Sequence, residues 1–428
     1  MAGSTATASR RSFLKGAAAF ATVSLIPRHV LGGEGQTAAS DKILHGIVGV
    51  GGMGMGHVDY VLSDKGARLV AVSDVDDARM NAAVKKAGAG CKGYHDFREL
   101  LDRGDIDCCH VPTPPHWHAL VSIAALNAGC DVWCEKPMTR TIAEGQHVVD
   151  AVKRNGRVFR LNTWFRLHSG FYGFGTEVKP IKKLVMSGLL GWPLTVRVSS
   201  FTGFGLGGWT GKINASPEPI PPGFDYDLWL GPAPFKPYFA HRTHNTFRGY
   251  WDYDGGGLGD MGQHYLDPVQ YMLEKDDTSP VEVEASAPWP PHPDACGGWD
   301  WVKMRYADGC EIILDSASGI TKDKPYIEGP KGKLYKGFKT DPPELADKVK
   351  FLPEPPPQIS DFNVSIRTRE KFGLNEVNGH RSCTLVNIAN IAIRTGRKLQ
   401  FDPVTMRFVN DEEANRLAEQ PMRAPWHL

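Results

Sequence analysis

The sequence predicts an α/β protein with a parallel sheet in its N-terminal part and an open, largely antiparallel sheet in its C-terminal part. Three observations lead to this fold class. Short apolar runs alternate with helix-like segments between Lys42 and Asn162, a glycine-rich turn follows the first run, and hairpin-like turns separate the later runs. At 428 residues the chain exceeds one ordinary domain, so about two domains are expected.

The early apolar runs have the length of buried strands. They cover 43–49, 68–73, 107–111, 130–134 and 157–161, and the helices between them are predicted to begin near Met53, Asp76, Asp96, His116 and Ile142. This alternation indicates βα units and therefore a parallel sheet.

The glycine-rich turn has the spacing of a dinucleotide site. Gly49, Gly51 and Gly54 form G-x-G-x-x-G, with Gly52 and Met53 between them. The first glycine permits a tight turn, the second lets the backbone approach a pyrophosphate, and the third lets the next helix pack closely. Twenty residues beyond Gly54, the second run ends in Asp74, an acid placed to bind ribose hydroxyls. The alternative is a glycine-rich turn followed by a helix-capping aspartate. We predict a Rossmann dinucleotide-binding domain.

The charges beyond the second strand favour NAD over NADP. Asp74, Asp76 and Asp77 cluster there, and the nearest arginine, Arg79, is not in the position that would receive a 2′-phosphate. An acidic group at this point binds both ribose hydroxyls and repels a phosphate.

After Thr163 the pattern changes to one typical of an antiparallel sheet. Strands are predicted at 193–202, 281–286, 300–306 and 309–315, an ordered loop layer at 203–257, and a final helix at Asn378–Arg394. The predicted organisation is a leader and linker at 1–40, a dinucleotide-binding domain at 41–162 and a substrate and oligomerisation domain at 163–428.

The leader has the pattern of a twin-arginine export signal. SRRSFLK at 9–15 precedes an apolar run at 16–26 that is too short to span a bilayer as a stable helix. The alternative is a disordered basic tail. The signal predicts recognition by the twin-arginine export machinery and a periplasmic location, with a membrane tether if the signal is not cleaved.

Composition argues against other classes of function. A net charge of +1 gives no electrostatic basis for binding nucleic acid. The eight cysteines lack paired C-x-x-C spacing and are too sparse for a disulfide framework, so no metal site is expected.

Glu135-Lys136-Pro137 is a second motif that could carry chemistry. It directly follows an apolar run that is predicted to be a strand. It places Lys136 at the carboxyl edge of a parallel sheet, where such sheets bind ligands. A lysine there could hydrogen-bond a reacting hydroxyl. The alternative is a surface lysine before a proline turn.

Together these residues resemble the Gfo/Idh/MocA oxidoreductases. The resemblance rests on Gly49–Gly54, Asp74, Thr113-Pro114 with His118, and Glu135-Lys136-Pro137. It implies a dinucleotide-binding domain joined to an open-sheet α/β domain, a substrate among sugars or cyclitols, and a homo-oligomer. It also implies that Thr113, Pro114, His118 and Glu135 lie at the cofactor.

The family's remaining signature is an aspartate and a histidine four residues apart, here Asp260 and His264. This spacing places both on one face of a helix. The resemblance implies acid/base chemistry by His264 with Lys136, and an Asp260 that orients the substrate hydroxyl. The alternative is a helix-capping Asp260 and a buried, hydrogen-bonded His264.

The resemblance gives four further residues a place near the substrate. Asn162 and Arg166 lie on the segment that joins the domains, and His380 and Arg381 open the last helix. We also expect Trp117 to stack near the cofactor.

The leading functional hypothesis is hydride transfer between a sugar or cyclitol hydroxyl and a tightly held NAD. A periplasmic enzyme has no free NAD pool, so the cofactor must be retained and recycled. The alternatives are a redox-neutral glycosidase that passes through a 3-keto sugar, and a non-catalytic NAD-binding protein.

Overall fold

The computed structural model of the protein describes residues 41–167, 177–199 and 208–428. The predicted export signal lies outside these residues. Among the described helices, none is long and apolar enough to cross a membrane.

The first half of the fold is a six-stranded parallel sheet in the order β3-β2-β1-β4-β5-β6. Its strands are β1 Ile43–Val48, β2 Ala67–Ser73, β3 Lys92–Tyr94, β4 Cys108–Val111, β5 Asp131–Glu135 and β6 Phe159–Asn162. The five predicted strands are present, while the short edge strand β3 was not predicted. Three residues offer too little apolar pattern to distinguish a strand from a loop.

Helices connect these strands, and several begin at residues that cap them. They are α1 Gly52–Ser63, α2 Asp77–Ala87, α3 Phe97–Leu101, α4 His118–Asn127 and α5 Ile142–Asn155. The Asp76 side chain accepts hydrogen bonds from two amides at the start of α2, and Thr141 with Glu144 forms a capping box at the start of α5. A short 3₁₀ turn, Pro115–Trp117, precedes α4.

The second half is built on a nine-stranded sheet in the order β13-β12-β11-β7-β10-β9-β8-β14-β15. Its strands are β7 Thr195–Val198, β8 Glu282–Ser286, β9 Trp301–Arg305, β10 Glu311–Asp315, β11 Ile327–Gly329, β12 Gly332–Tyr335, β13 Lys339–Asp341, β14 Leu399–Asp402 and β15 Arg407–Phe408. Neighbouring strands are antiparallel except β7 and β10, which run parallel. The predicted fold class, a parallel sheet followed by a largely antiparallel one, is confirmed.

Two long helices join the halves. The helices of this part are α6 Val178–Met186, α7 Tyr226–Leu230, α8 Gly256–Met272, α9 Glu344–Lys348, α10 Phe362–Thr368, α11 Glu376–Thr395 and α12 Glu412–Ala418. Helix α11 packs against both α8 and α5, and therefore touches both halves of the molecule. Leu258, Tyr265, Leu385 and Ile388 from α8 and α11 are fully buried in the larger hydrophobic core.

The predicted loop layer, as far as it is described, contains α7 and the 3₁₀ turns Ala240–Arg242 and His244–Gly249. It is held by its own cluster of buried aromatic side chains, which includes Phe224, Trp229, Tyr250 and Tyr253. This layer lies over the carboxyl edge of the parallel sheet and positions part of the site.

Candidate active site

A cavity of about 410 Å³ lies at the carboxyl edge of the parallel sheet. It is lined by residues that follow β1, β2, β4 and β5, which is where open α/β sheets bind ligands. One end is formed by the glycine turn and Asp74, and the other by Lys136 and Asp260. The cavity therefore connects the predicted cofactor residues with the predicted catalytic residues.

The glycine turn has the shape of an anion-binding site. Gly49 has φ +91°, a conformation that favours glycine, and helix α1 begins after Gly51 with no side chain capping its first amides. Gly51, Gly52 and Met53 line the cavity. Free amides at a helix N-terminus attract phosphate.

Gly54 does not line the cavity, which corrects its assignment as a cofactor contact. A Cβ atom on Gly54 would lie 2.0 Å from the carbonyl oxygen of Gly49. The absence of a side chain on Gly54 lets α1 pack against the glycine turn, so Gly54 supports the conformation of the turn without lining the cavity.

Asp74 lies in the cavity with its carboxylate fixed by the backbone. Its two oxygens accept hydrogen bonds from the amides of Val50, at 2.8 Å, and Asp76, at 3.0 Å. Burial raises the pKa of Asp74 more than these hydrogen bonds lower it. Asp74 therefore connects the glycine turn to the loop after β2.

An arginine lies closer to this end of the cavity than the sequence indicated. The guanidinium of Arg79 lines the cavity, with Nη1 2.7 Å from the position that a Cβ of Gly51 would occupy. Its Nε lies 3.6 Å from the Asp76 carboxylate. The prediction that no arginine lies near the ribose end is thus wrong, because helix α2 brings Arg79 back toward the glycine turn. The preference for NAD over NADP therefore rests on Asp74 alone.

Thr113 and Pro114 line the cavity, as does Trp117, but His118 does not. The ring of His118 is buried, with Nδ1 2.6 Å from the Pro137 carbonyl oxygen and Nε2 2.8 Å from that of Thr113. The assignment of His118 to the cofactor is corrected: both of its nitrogens face backbone carbonyls, so it braces the two loops.

Glu135 lines the cavity at the end of β5, and two side chains hold its carboxylate. Its Oε1 accepts hydrogen bonds from His57 Nε2, at 2.8 Å, and from Asn162 Nδ2, at 2.7 Å. Burial raises the pKa of Glu135, but the hydrogen bond from His57 and the charge of Lys136 outweigh it and lower the pKa. Asn162 is absent from the cavity lining, so its predicted substrate contact is corrected to a contact with Glu135.

Lys136 and Asp260 meet at the end of the cavity opposite the glycine turn. The Lys136 Nζ donates to the Asp260 carbonyl oxygen, at 2.8 Å, and to its Oδ1, at 2.7 Å. Both side chains are less than a tenth exposed. An ammonium has three N–H donors, so one remains for a bound oxygen.

Two contacts that the sequence did not predict complete the environment of Asp260. Arg248 Nε lies 2.7 Å from Oδ1, and the Trp209 indole N–H donates to Oδ2 at 3.0 Å. Burial raises the pKa of Asp260, but the charges of Lys136 and Arg248 lower it below its ordinary value. The carboxylate accepts hydrogen bonds from Lys136 and Trp209 and forms an ion pair with Arg248, so Asp260 holds Lys136 in place. Its role in orienting the substrate hydroxyl stays a prediction.

Asp254 is a second carboxyl at this end that the sequence did not reveal. It lines the cavity, and its Oδ1 is buried without a hydrogen-bond partner among the described residues. Burial, and then the charge of Asp260, raises the pKa of Asp254 above its ordinary value. The pKa values of the two carboxyls are therefore shifted in opposite directions, an arrangement that separates acid and base functions.

We expect Asp254→Asn to abolish the part of the pH dependence of the free energy of unfolding that comes from Asp254. Because the folded protein holds a proton on Asp254 that the unfolded chain releases, the free energy of unfolding falls as the pH rises from the unfolded pKa to the folded one. An amide mimics the protonated carboxyl at every pH. In thermal melts at a series of pH values, the melting temperature of the variant should rise relative to that of the wild type as the pH increases. A difference in melting temperature that stays constant with pH would contradict the raised pKa.

His264 lies one turn beyond Asp260 on α8 and is fully buried. Burial, then the charge of Lys136, lowers its pKa well below the ordinary value, so the ring is neutral. The Trp164 amide donates to Nδ1 at 3.1 Å, so the single ring proton lies on Nε2, which has no partner among the described residues. His264 is absent from the residues that line the cavity, so its acid/base role stays a prediction.

Arg166 does not face the cavity, which corrects its predicted substrate contact. Its guanidinium and the Asp267 carboxylate are both 0% exposed and 2.7 Å apart. Asp276 pairs with the same guanidinium at 2.7 Å. Two carboxylates therefore neutralise Arg166 inside the second domain.

His380 and Arg381 are also placed away from the cavity. His380 packs against α5, where a Cβ on Gly145 would lie 2.2 Å from its Nδ1. Arg381 contacts the Pro403 carbonyl oxygen at 2.9 Å, near β14. Their predicted substrate contacts are corrected, because the start of α11 is buried between the two halves and does not border the cleft.

The loop layer closes over the ribose end of the cavity. Its Gly223 carbonyl accepts from the Asp77 amide, and its Asp225 amide donates to the Val75 carbonyl, both at 2.9 Å. His244 lines the cavity and lies 3.7 Å from Asp76. A segment of the second domain thus covers the loop that follows β2.

Known proteins share the sequence and the fold. Residues 43–163 match the family model for the NAD-binding Rossmann fold of the oxidoreductase family, and 174–428 match the model for its C-terminal alpha/beta domain. Inositol 2-dehydrogenase of Salmonella typhimurium is 33% identical over 153 residues, 35% of this chain and 44% of that protein. Glycosyl hydrolase family 109 protein 2 of Shewanella sp. (strain ANA-3) is 34% identical over 125 residues, 27% of each chain.

The chain therefore spans less than half the length of either curated relative. Among solved structures, the WlbA dehydrogenase of Bordetella pertussis in complex with NADH and UDP-GlcNAcA has a TM-score of 0.57 at 21% identity, covering 84% of this chain and 99% of that one. This likeness shows a common fold. Since the two family models together match most of the chain, the protein belongs to the Gfo/Idh/MocA family of oxidoreductases.

Proposed function

We propose that the protein transfers a hydride between a secondary hydroxyl of a sugar or cyclitol and a tightly held NAD. The observation that carries this proposal is the buried Lys136–Asp260 pair at one end of a cavity whose other end is the glycine turn. A charged donor at that point serves a substrate oxygen beside the reactive end of a dinucleotide.

The residues of the cavity fit NAD. The uncapped amides at the start of α1 suit the diphosphate, Asp74 suits the ribose hydroxyls, and the Thr113 hydroxyl is buried without a partner among the described residues. When bound, NAD supplies the hydride acceptor. Arg79 would lie near the ribose end, where its charge is partly balanced by Asp76.

Side chains at this end of the cavity have two roles: hydrogen bonding to the substrate oxygen and positioning of Lys136. The free N–H of Lys136 is a donor that stabilises negative charge on that oxygen as the hydride leaves the carbon. Asp260, Arg248 and Trp209 fix Lys136 in place.

The substrate class rests on the relatives. One relative is named an inositol 2-dehydrogenase, and the WlbA dehydrogenase that shares the fold is in complex with NADH and UDP-GlcNAcA. The cavity is lined by Trp117, Trp229 and Phe247, whose faces suit the apolar face of a sugar or a nicotinamide. We therefore propose a cyclic polyol and leave the reacting carbon to experiment.

A substrate panel tests this function. Purified protein is mixed with NAD⁺ and myo-inositol, free hexoses or UDP-sugars, and the formation of NADH is followed by absorbance. Reduction by at least one polyol, saturable in both reactants, supports the proposal. Binding of NAD⁺ without reduction by any of them would favour a non-catalytic NAD-binding protein.

A redox-neutral glycosidase is the second candidate, and the match to a family 109 glycosyl hydrolase favours it. Oxidation at C3 acidifies the C2 proton, which allows loss of the C1 substituent before the carbonyl is reduced again. Aryl glycosides separate the two candidates. Release of the aglycone with no net NADH supports the glycosidase, and NADH formed from a free polyol supports the dehydrogenase.

We propose that the protein is exported already folded by the twin-arginine machinery and functions in the periplasm. The SRRSFLK sequence at 9–15 supports this, and the cover of Gly223, Asp225 and His244 suits retention of NAD during export. The double variant Arg10→Lys/Arg11→Lys should remain in the cytoplasmic fraction while the wild type reaches the periplasm. Equal distribution of both would contradict export. We also infer a homo-oligomer from the family resemblance, which sedimentation in solution tests.

A further inference from the structure

We propose that a second, smaller cavity binds a small monovalent anion between the guanidinium groups of Arg140 and Arg394. This cavity has a volume of about 30 Å³, enough for about two water molecules, which suits a chloride ion or one carboxylate group. The inference does not depend on the proposed hydride transfer, because it concerns a different cavity and a ligand that takes no part in that reaction.

The anion cavity lies where the two halves of the molecule meet. Arg140 comes from the first half, in the loop between β5 and α5, whereas Asn387, Asn390 and Arg394 come from α11 in the second half. Their spacing of three and then four residues places these three side chains along one face of α11. Gln420, which follows α12, also lines the cavity. A ligand held here therefore joins parts of the chain that are distant in sequence.

The two arginines bring like charges to this cavity. Within the described ranges, neither guanidinium forms an ion pair with a carboxylate. Arg140 Nη1 donates to Gln420 Oε1 at 2.6 Å and lies 3.4 Å from the Trp251 carbonyl oxygen, and Arg394 lies 5.2 Å from the centroid of the Trp251 ring. Burial, and then the charge of Arg140, lowers the pKa of Arg394 to about 10. An anion between the two groups would remove this repulsion.

The nearest acids do not provide that negative charge. The Glu144 carboxylate accepts hydrogen bonds from two backbone amides at the start of α5. Asp252 lies near both arginines, yet burial raises its pKa more than their charges lower it. Burial also raises the pKa of Asp254, which lines the anion cavity. The positive charge of the arginines is therefore not balanced by an ionised group of the cavity wall.

Polar atoms of the wall are also left without partners. The Oδ1 atoms of Asn390 and Asp254 are buried and have no hydrogen-bond partner in the part of the chain that the structure describes. Arg394 donates no hydrogen bond to any described residue, although a guanidinium has five N–H groups. The amide of Asn390 can turn over and present its N–H groups instead of its oxygen. Donors of this kind suit an anion, and the planar fork of a guanidinium suits a carboxylate in particular.

Thermal unfolding of the full chain tests the site. The protein is prepared in chloride-free buffer and titrated with sodium formate or with sodium chloride. We expect a saturable rise in melting temperature, because a ligand that binds only the folded protein stabilises it by an amount set by its concentration and affinity. The salt that reaches half-saturation at the lower concentration identifies the ligand as a carboxylate or as a halide.

Variants of the two arginines separate binding from general effects of salt. Arg394→Met should need at least about tenfold more formate for the same rise in melting temperature, since a charged hydrogen bond is lost. Arg140→Met removes the other side of the site and serves if the first variant does not fold. Arg397→Met is the matched control: Arg397 is near Arg394 in sequence but pairs with Asp411 and Glu413. It should respond to formate as the wild type does.

Bromide locates the anion directly. Crystals of the full chain are soaked in sodium bromide, and anomalous scattering should show a peak between Arg140 and Arg394 that is absent from Arg394→Met. Bromide bound only elsewhere would overturn the site. So would a formate response that never saturates, or one that is equal in the wild type and both cavity variants. None of these measurements uses NAD or a substrate, so a failure here is distinct from a failure of the proposed function.

Discussion

Lys136→Met is expected to lower kcat by about 10²- to 10⁴-fold while leaving NAD affinity near that of the wild type, because positioned acid/base and charge-stabilising groups contribute on this scale. The methionine keeps most of the side-chain volume and removes the N–H that remains free for a substrate oxygen. Asp260 keeps Arg248 and Trp209 as partners, so the end of the cavity should hold its shape. Steady-state kinetics with an accepted polyol, together with an NAD titration, measure both quantities.

Lys182→Met provides a matched control. This lysine is also buried, with 6% of its side chain exposed, but it donates to the Tyr271 carbonyl oxygen far from the cavity. It should retain kcat within a few fold even if it lowers stability. A Lys136→Met protein that turns over like Lys182→Met would show that Lys136 is structural, and the assignment of the catalytic end of the cavity would then be wrong.

Arg166→Met is expected to destabilise the folded protein by about 3–5 kcal/mol, the cost of breaking a buried ion pair from one side. The Asp267 carboxylate would remain inside the core with only Thr163 as a side-chain partner. Urea unfolding followed by circular dichroism measures the loss in free energy of unfolding. Catalysis by the fraction that remains folded should change little, because Arg166 does not face the cavity.

The double variant Arg166→Met/Asp267→Asn tests the reason for that loss. Removing both charges should recover part of the free energy of unfolding, since the cost arises from a carboxylate left unpaired. If the losses in free energy of unfolding caused by Arg166→Met and by Asp267→Asn simply add in the double variant, the ion-pair explanation is contradicted. If Arg166→Met has a raised KM and normal stability, the original prediction that Arg166 contacts the substrate would be supported instead.

The sequence predicted the parts of the site that depend on local spacing. The turn at Gly49–Gly54, the acid at Asp74 and the position of Lys136 each follow from short-range geometry at the end of one strand. The i, i+4 spacing of Asp260 and His264 likewise places them one turn apart on α8. In these cases a few neighbouring residues determine both the conformation and the direction of the side chain.

The contacts that the sequence did not predict depend on long-range packing. Trp209 and Arg248 reach Asp260 from the loop layer, whose path no local pattern specifies. The proton position on His264 depends on the Trp164 amide, a hundred residues away in the chain. Arg166 could not be distinguished from a substrate contact, because its partners Asp267 and Asp276 are also distant in sequence. The contacts among His45, His57 and His110 are equally non-local, since they join β1, α1 and β4.

The transfer of a label tests the central claim most directly. A cyclic polyol that reduces NAD⁺ in the panel is prepared with deuterium on the reacting carbon, and the NADH formed by the protein is recovered and its mass measured. We predict that each molecule of NADH carries one deuterium, because the hydride moves directly from the substrate carbon to the cofactor in the cavity bounded by the glycine turn and Lys136. NADH without deuterium, or no NADH from any polyol while NAD⁺ is bound, would contradict the account.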